Sequence, residues 1–404
     1  APNPVIKELC PNNEANRMAY NVPPGQLTED GMKQAAKLGA FLRETYVDSM
    51  QFLPPMLGGG SQDTFSSRFM SDPAERCLQT AQAMAQGLFP NGTGPPGFPN
   101  QPVAVQTEQK EFANLLAAAH GACAGKQKAD NKIYDESRGK DLIEQSSNVT
   151  NVIAEACGTP IEDYAMADNG KEGLVLGVKD VADMLDFDQQ QDLPRMASVS
   201  KEAHEEMAAL AFTLLQERYY SSREQVTYWA GDLPTQLLAD FNAASKRHGK
   251  GQKPQRLYIG YHGHRELLYG FAHLIGWNFD VRGMPRALET SSIPPATTMV
   301  FELHFHATEA DGTFTRTGDH DATSESISVI SSSEERTAED GYFYVRTYTW
   351  TPQFGQQEVV LDVCSDNDAG KGCPLATFEG AILGSMVDTG SWQEICHHVP
   401  FTEA

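Results

Sequence analysis

The sequence predicts an α/β fold, a sheet flanked by helices, with a mainly helical domain inserted into it. Strand-like apolar runs lie on both sides of the chain, at Pro102 to Thr107 and then at Arg256 to Tyr261, Thr298 to His306, Tyr342 to Thr349 and Gln357 to Val363. The block between them, from about Lys110 to Lys253, has helical periodicity, many charges and little β signal. The run Leu257 to Tyr261 also passes directly into a helical pattern ending near Ile275, the kind of junction outside which open α/β sheets bind ligands.

Gln26 to Met50 reads as a helix capped by Thr28, with Met32, Ala35, Leu38, Leu42 and Tyr46 on one apolar face. Asp72-Pro73-Ala74-Glu75 combines an N-cap, a first-turn proline and a capping-box glutamate. The helix it opens runs to about Leu88 and should bury Leu78, Ala81, Met84 and Leu88. Pro90 to Pro102 is a Gly/Pro-rich loop. Inside the helical block, Lys201 to Tyr219 and Pro234 to His248 are the clearest helices. Ala307 to Asp340, rich in Ser, Thr, Asp and Glu, reads as a solvated excursion between strands. The expected division is a core of residues 1–112 and 253–404, a helical cap of residues 113–252, and an acidic insertion at 307–341 within the core.

At 404 residues and 40% apolar content, the chain suffices for one large α/β domain with an insertion or for two domains. A net charge of −23 argues against binding nucleic acid or an anionic membrane by general electrostatics. No apolar run is long enough to cross a bilayer, and the first residues lack a signal-peptide pattern, so a mature or trimmed soluble form is expected. Whether an anchor followed Ala404 stays open. Asn91-Gly92-Thr93 and Asn148-Val149-Thr150 are glycosylation sequons in loop-like surroundings. Seven cysteines without CxxC spacing fit disulfides better than a thiolate metal site. Cys364 and Cys373 bracket a polar loop that a disulfide could close, and the odd count leaves a thiol free, with Cys77 on its apolar helix the natural buried one.

Leu27-Thr28-x-x-Gly31 at the start of the first helix and Tyr261-His262-Gly263-His264-Arg265 ahead of a later one are phrases that resemble the histidine acid phosphatases, branch 2 of the histidine phosphatase superfamily. The first resembles the family's first-helix motif. The second resembles its late Tyr-x-x-His-Asp motif, which precedes a helix with a glycine where Gly270 stands. Ile293-Pro294-Pro295 and Cys373-Pro374-Leu375 are similar in kind, whereas the cap is matched only in character. Phe52-Leu53-Pro54-Pro55 and Gly92-Thr93-Gly94-Pro95 are closest to the membrane-bound and secreted acid phosphatases of kinetoplastid protozoa. The resemblance implies the Cys364–Cys373 disulfide, a second one from Cys123 to Cys396, no cofactor and no metal.

It also implies a phosphohistidine reaction, and the chain departs from it at each catalytic position. The family's Arg-His-Gly-x-Arg nucleophile motif would fall just before residue 1, so either a segment lies outside this sequence or Pro4 to Leu9 replaces the strand that carries it. Aligning Arg76-Cys77-Leu78 with Arg-Thr-Leu puts Met70 at the phosphate-arginine position, and Arg68, two residues earlier, compensates only if the loop shifts. Arg265 stands where an aspartate protonates the leaving group, which an arginine cannot do. Glu266 is adjacent, but one helical residue turns it by about 100° away.

The expectation is therefore a catalytically degenerate, secreted, surface or endosomal/lysosomal protein that binds an unknown protein or a small anion around Arg68, Arg76, His264 and Arg265. An active phosphatase with its nucleophile outside this sequence is the alternative. A structural, self-assembling glycoprotein is another, with homo-oligomerisation left open. A zinc site from the pairs His262/His264 and His304/His306, with His397 and His398, is a fourth.

Overall fold

The computed structural model describes residues 9–13, 22–23, 25–56, 66–108, 115–116, 123, 137–166, 173–190, 193, 196, 198–254, 256–277, 293–307, 341–364, 372–387 and 389–396. The expected replacement strand at Pro4 to Leu9 and the excursion at 307–341 lie almost wholly outside them; Leu9 itself is helical and Ala307 ends a strand.

Thr28 caps α1, Glu29–Leu42, by accepting from Gly31 N. The helix continues as a π-helical stretch, Arg43–Ser49, that buries Tyr46 and Val47. Ala35, Leu38 and Leu42 face the core as the 3.6-residue period requires, while Met32 is exposed at its end. β1, Ser67–Ser71, leads into α2, Glu75–Leu88. Ala74, not Asp72, occupies the cap position of α2, and Asp72 Oδ1 accepts from Ala74 N at 2.7 Å just ahead of it. Gly39 of α1 and Gly87 of α2 let these helices touch backbone to backbone. A Cβ on Gly87 would lie 2.1 Å from Ala36 O, and one on Gly39 1.9 Å from Met84 O.

After β2, Val105–Thr107, come α3, Ser137–Gln145; α4, Ser147–Cys157; α5, Gly173–Gln190; α6, Lys201–Tyr220; α7, Arg223–Ala230; and α8, Leu233–His248. Ile153, Val178, Met207 and Leu214 lie in one apolar cluster of α4 to α6, which Leu9 and Cys10 join. The later helices pack differently. Phe212, Tyr220, Leu238 and Phe241 share a cluster with Tyr269, Ile275 and Phe378 from the C-terminal part of the chain, so helical block and sheet meet through a continuous apolar contact.

β3, Tyr258–His262, lies parallel to β1, which is parallel to β2 on its other side, giving the order β2-β1-β3. α9, Arg265–Ile275, follows β3, and Gly270 on it admits the backbone of α7: a Cβ there would sit 2.7 Å from Ala230 N. β4, Thr298–Ala307, β5, Gly341–Thr351, and β6, Gly355–Glu358, form an antiparallel sheet to which β7, Cys373–Pro374, adds on β5. The last expected strand thus begins and ends earlier than its apolar pattern. Leu361 is buried against the core cluster, and Asp362–Cys364 is a 3-10 turn. α10, Leu375–Val387, and α11, Trp392–Ile395, complete the described chain. No described helix is long and apolar enough to cross a membrane.

Ala at Gly87 should destabilise the protein by about 1–3 kcal/mol in urea denaturation, because its methyl meets backbone that cannot step aside. Ala at Gly380 in α10, with no atom within 4 Å of its added Cβ, should instead stabilise by about 0.4–1 kcal/mol.

Candidate functional site

The parallel register sets Ser71 beside His262, so the residues leaving β1 and β3 emerge side by side. Asp72 N donates to His262 O at 2.9 Å and extends the ladder by one step. His264, the N-cap residue of α9, is thereby held over the first turn of α2. Its Nε2 lies 3.2 Å from Asp72 Oδ1 and 3.9 Å from Cys77 Sγ, and its Nδ1 lies 3.3 Å from Arg76 Nη2. Cys77, the free cysteine among the described residues, also directs its thiol to Gly263 O at 3.7 Å. Burial alone would lower the pKa of His264. Its hydrogen bonds to Asp72 and Cys77, with the charges of Cys77 and Glu266, outweigh burial and raise it to about 10.

Arg265 is turned toward the helical block. Its guanidinium meets Asp183 of α5 as a fork, Nη1 donating to Oδ1 at 3.0 Å and Nη2 to Oδ2. Lys179, one turn earlier on α5, places Nζ 3.0 Å from Asp183 Oδ2 and 2.6 Å from Asp180 Oδ1. Glu266 Oε1 lies 3.5 Å from Arg265 Nε, so this side chain joins the cluster where helix geometry alone had sent it elsewhere. Burial would raise the Asp183 carboxyl, but Arg265 and Lys179 hold it at about 2. Burial also opposes the charge on Arg265, yet Asp183 and Glu266 keep its pKa well above the ordinary value.

Met70 is buried with Leu115, Leu116 and Leu267. The same group closes on the turn before His264, where a Cβ on Gly263 would meet Leu267 Cδ1 at 2.9 Å and Leu116 O at 3.2 Å. Arg68 points along the sheet, its Nε donating to Gln106 Oε1 at 2.8 Å. Of the four basic residues expected to line one cleft, Arg76 and His264 meet, Arg68 pairs with Gln106, and Arg265 is claimed by Asp183. His262 is buried, its Nε2 has no hydrogen-bond partner among the described residues, and burial lowers its pKa to about 4. His304 Nε2 donates to Glu302 Oε2 at 2.8 Å and its ring stacks on Tyr344; His397 and His398 lie outside the described residues.

The structure bonds Cys10 to Cys157, Cys123 to Cys396 and Cys364 to Cys373; the last two are the pairs the resemblance implied. Asn91 is exposed in a turn as expected, whereas Asn148, also exposed, lies in the first turn of α4 with Thr150 buried, not in a loop. Sequence reasoning missed the roles of Asp72, Asp183 and Lys179. Asp72 carried a signal, since it directly follows a strand that ends at the binding edge; a Lys and an Asp at i, i+4 among the apolar residues of Leu174 to Leu185 was the signal for α5.

A model of the histidine phosphatase superfamily (branch 2) matches residues 5–347. Testicular acid phosphatase of Mus musculus is 33% identical over 116 residues, 28% of this chain and 25% of that protein. Counting factor 60 of Dictyostelium discoideum is 31% identical over 109 residues, 27% of this chain and 25% of that protein. The matched stretch is a quarter or less of the curated relatives' length. Among solved structures, Klebsiella sp ASR1 phytase superposes with a TM-score of 0.59 at 17% identity, covering 96% of this chain and 93% of that one.

Replacing Asp183 by Asn should cost about 3–5 kcal/mol of stability, because the Arg265 charge stays buried without its carboxylate. The sign of the pH dependence follows from the two shifts. Asp183, depressed below its ordinary 3.8, gives stability that is present above that value and lost as pH falls through about 2. His264, raised above 6.5, gives stability that is fully present below that value and lost as pH rises through about 10. Denaturation midpoints across pH should therefore fall on both limbs, and Asp183→Asn should flatten the acid limb alone.

Proposed function

The chain belongs to the histidine phosphatase superfamily (branch 2), and from that premise we propose that it is a pseudophosphatase of the histidine acid phosphatase fold, acting outside the cell, on its surface or in the endosomal/lysosomal lumen. Its role in this reading is binding, with little or no phosphomonoester hydrolysis. The observation that carries the reading is the fate of Arg265. The position where the family's resemblance puts a proton donor holds a permanent cation, and that cation is locked to Asp183 rather than offered to a leaving group. Met70 supports the same reading, since the place of a phosphate arginine is filled by an apolar side chain packed on Leu115, Leu116 and Leu267. What remains for an anion is the pair Arg76 and His264, adjacent and partly exposed.

A second reading, an active acid phosphatase whose nucleophile lies in a segment outside this sequence, draws on the two sheet edges. Among the described residues β3 pairs with β1 alone and β4 with β5 alone. Ile259 and Tyr261 on β3, and Phe301 and Leu303 on β4, are only half-buried. An added strand would find hydrogen-bonding edges and apolar faces on both sides.

Hydrolysis of a generic phosphomonoester in mildly acidic buffer by the protein purified from its native source separates these readings. The first expects no turnover from it, and none from Arg265→Asp, because restoring the acid leaves apolar Met70 in the place of the phosphate arginine. Turnover that His264→Ala abolishes would overturn it.

A further inference from the structure

We propose that Asp72, Cys77 and His264 form a binding site for a single Zn²⁺ ion with its fourth position open to the cleft. The donors are a carboxylate oxygen, a thiol sulfur and an imidazole nitrogen, the set that a borderline-soft, tetrahedral cation takes from proteins. They converge in space: one ligand atom from each of Asp72, Cys77 and His264 lies within 4.8 Å of the other two. Bonds of about 2.0–2.3 Å to a tetrahedral zinc ion separate its ligands by about 3.3–3.8 Å. The observed separations from His264 Nε2, 3.2 Å to Asp72 and 3.9 Å to Cys77, bracket that range, and the Asp72–Cys77 separation, at most 4.8 Å, closes by about 1 Å when the Asp72 and Cys77 side chains turn toward the ion.

The ligands are also held in place before any ion arrives. Asp72 is fixed by its bonds to Ala74 N and to His262 O, Cys77 lies in the first turns of α2, and His264 begins α9. The charge balance suits a dication. A carboxylate and a thiolate supply two negative charges, and the ion takes the place of the thiol proton and the Nε2 proton. Glu266 adds to the negative field, while Arg76 opposes it. With zinc on Nε2 the remaining ring proton sits on Nδ1, so Arg76, now 3.3 Å from Nδ1, must turn away; there it can face an anion held on the open zinc position. The site runs against the sequence expectation of no metal, and it stands whether or not the cleft hydrolyses or binds a phosphate ester.

The test is metal binding on the intact, oxidised chain. Dialysis against Zn²⁺ followed by metal analysis should retain about one tightly held equivalent. Co²⁺ in its place should show the near-ultraviolet thiolate charge-transfer band and the intense visible bands of a tetrahedral ion. Cys77→Ser should lose the charge-transfer band, and Asp72→Asn should weaken zinc by at least about tenfold, since even outer partners of a zinc ligand cost that much. Arg76→Gln, which removes the opposing charge, should bind at least as tightly as the parent. Circular dichroism and thermal melts show that each variant is folded, so a folded Cys77→Ser protein with an unchanged cobalt spectrum overturns the proposal. So does a parent chain that retains no equivalent after dialysis.

Discussion

The fork between Arg265 and Asp183 is the constraint around which the rest of the cleft is arranged. Arg265 opens the helix that follows β3, and Asp183 lies on α5 in the helical block, so one ion pair joins the strand-end loop to a helix about 80 residues away in sequence. Taking both charges out of water is costly, and the cluster offsets that cost by being complete: Lys179 supplies a second cation, Asp180 and Glu266 further carboxylates. A cation so satisfied has little charge left for a ligand. The remaining chemistry of the cleft consequently shifts to the other flank of His264, where Asp72, Arg76 and Cys77 converge.

The two flanks differ in kind. On one, Met70, Leu116 and Leu267 exclude water and hold the Gly263 turn tightly; on the other, polar side chains from β1 and α2 reach the imidazole. His264 stands between them because β1 and β3 end in register. Parallel pairing therefore does more than build the sheet. It sets two chain exits next to each other, and each exit leads into a helix whose first turn carries functional groups.

Much of this was legible in the sequence wherever a local pattern and a burial demand coincided. Thr28 and the apolar spacing of Ala35, Leu38 and Leu42 gave α1, and the run to Tyr261 gave β3 to within a residue or two. Legibility failed where one residue had two local uses. Asp72 has the chemistry of an N-cap but lies two residues before the cap of α2, and only the neighbouring strand exit reveals that its carboxylate serves His264. Arg265 likewise reads as a free cleft cation until Asp183, distant in sequence, is brought against it. Glu266 was assigned by helix angle alone, but a long side chain reaches across the turn. The fold class and family needed no such long-range contacts, because the first rests on local periodicity along the chain and the second on motifs a few residues long.

The cross-links of Cys10 to Cys157 and of Cys123 to Cys396 overlap along the chain, since residue 123 precedes residue 157. Every peptide bond from residue 10 to residue 396 is therefore spanned by at least one of them. A protease that cuts the backbone once anywhere in that stretch leaves a single covalent molecule. Such a nicked chain runs as one species on a non-reducing gel and separates only when thiols are added. Its two pieces stay concentrated against each other, so the cut ends can remain docked and the packing around α9 need not be lost to diffusion.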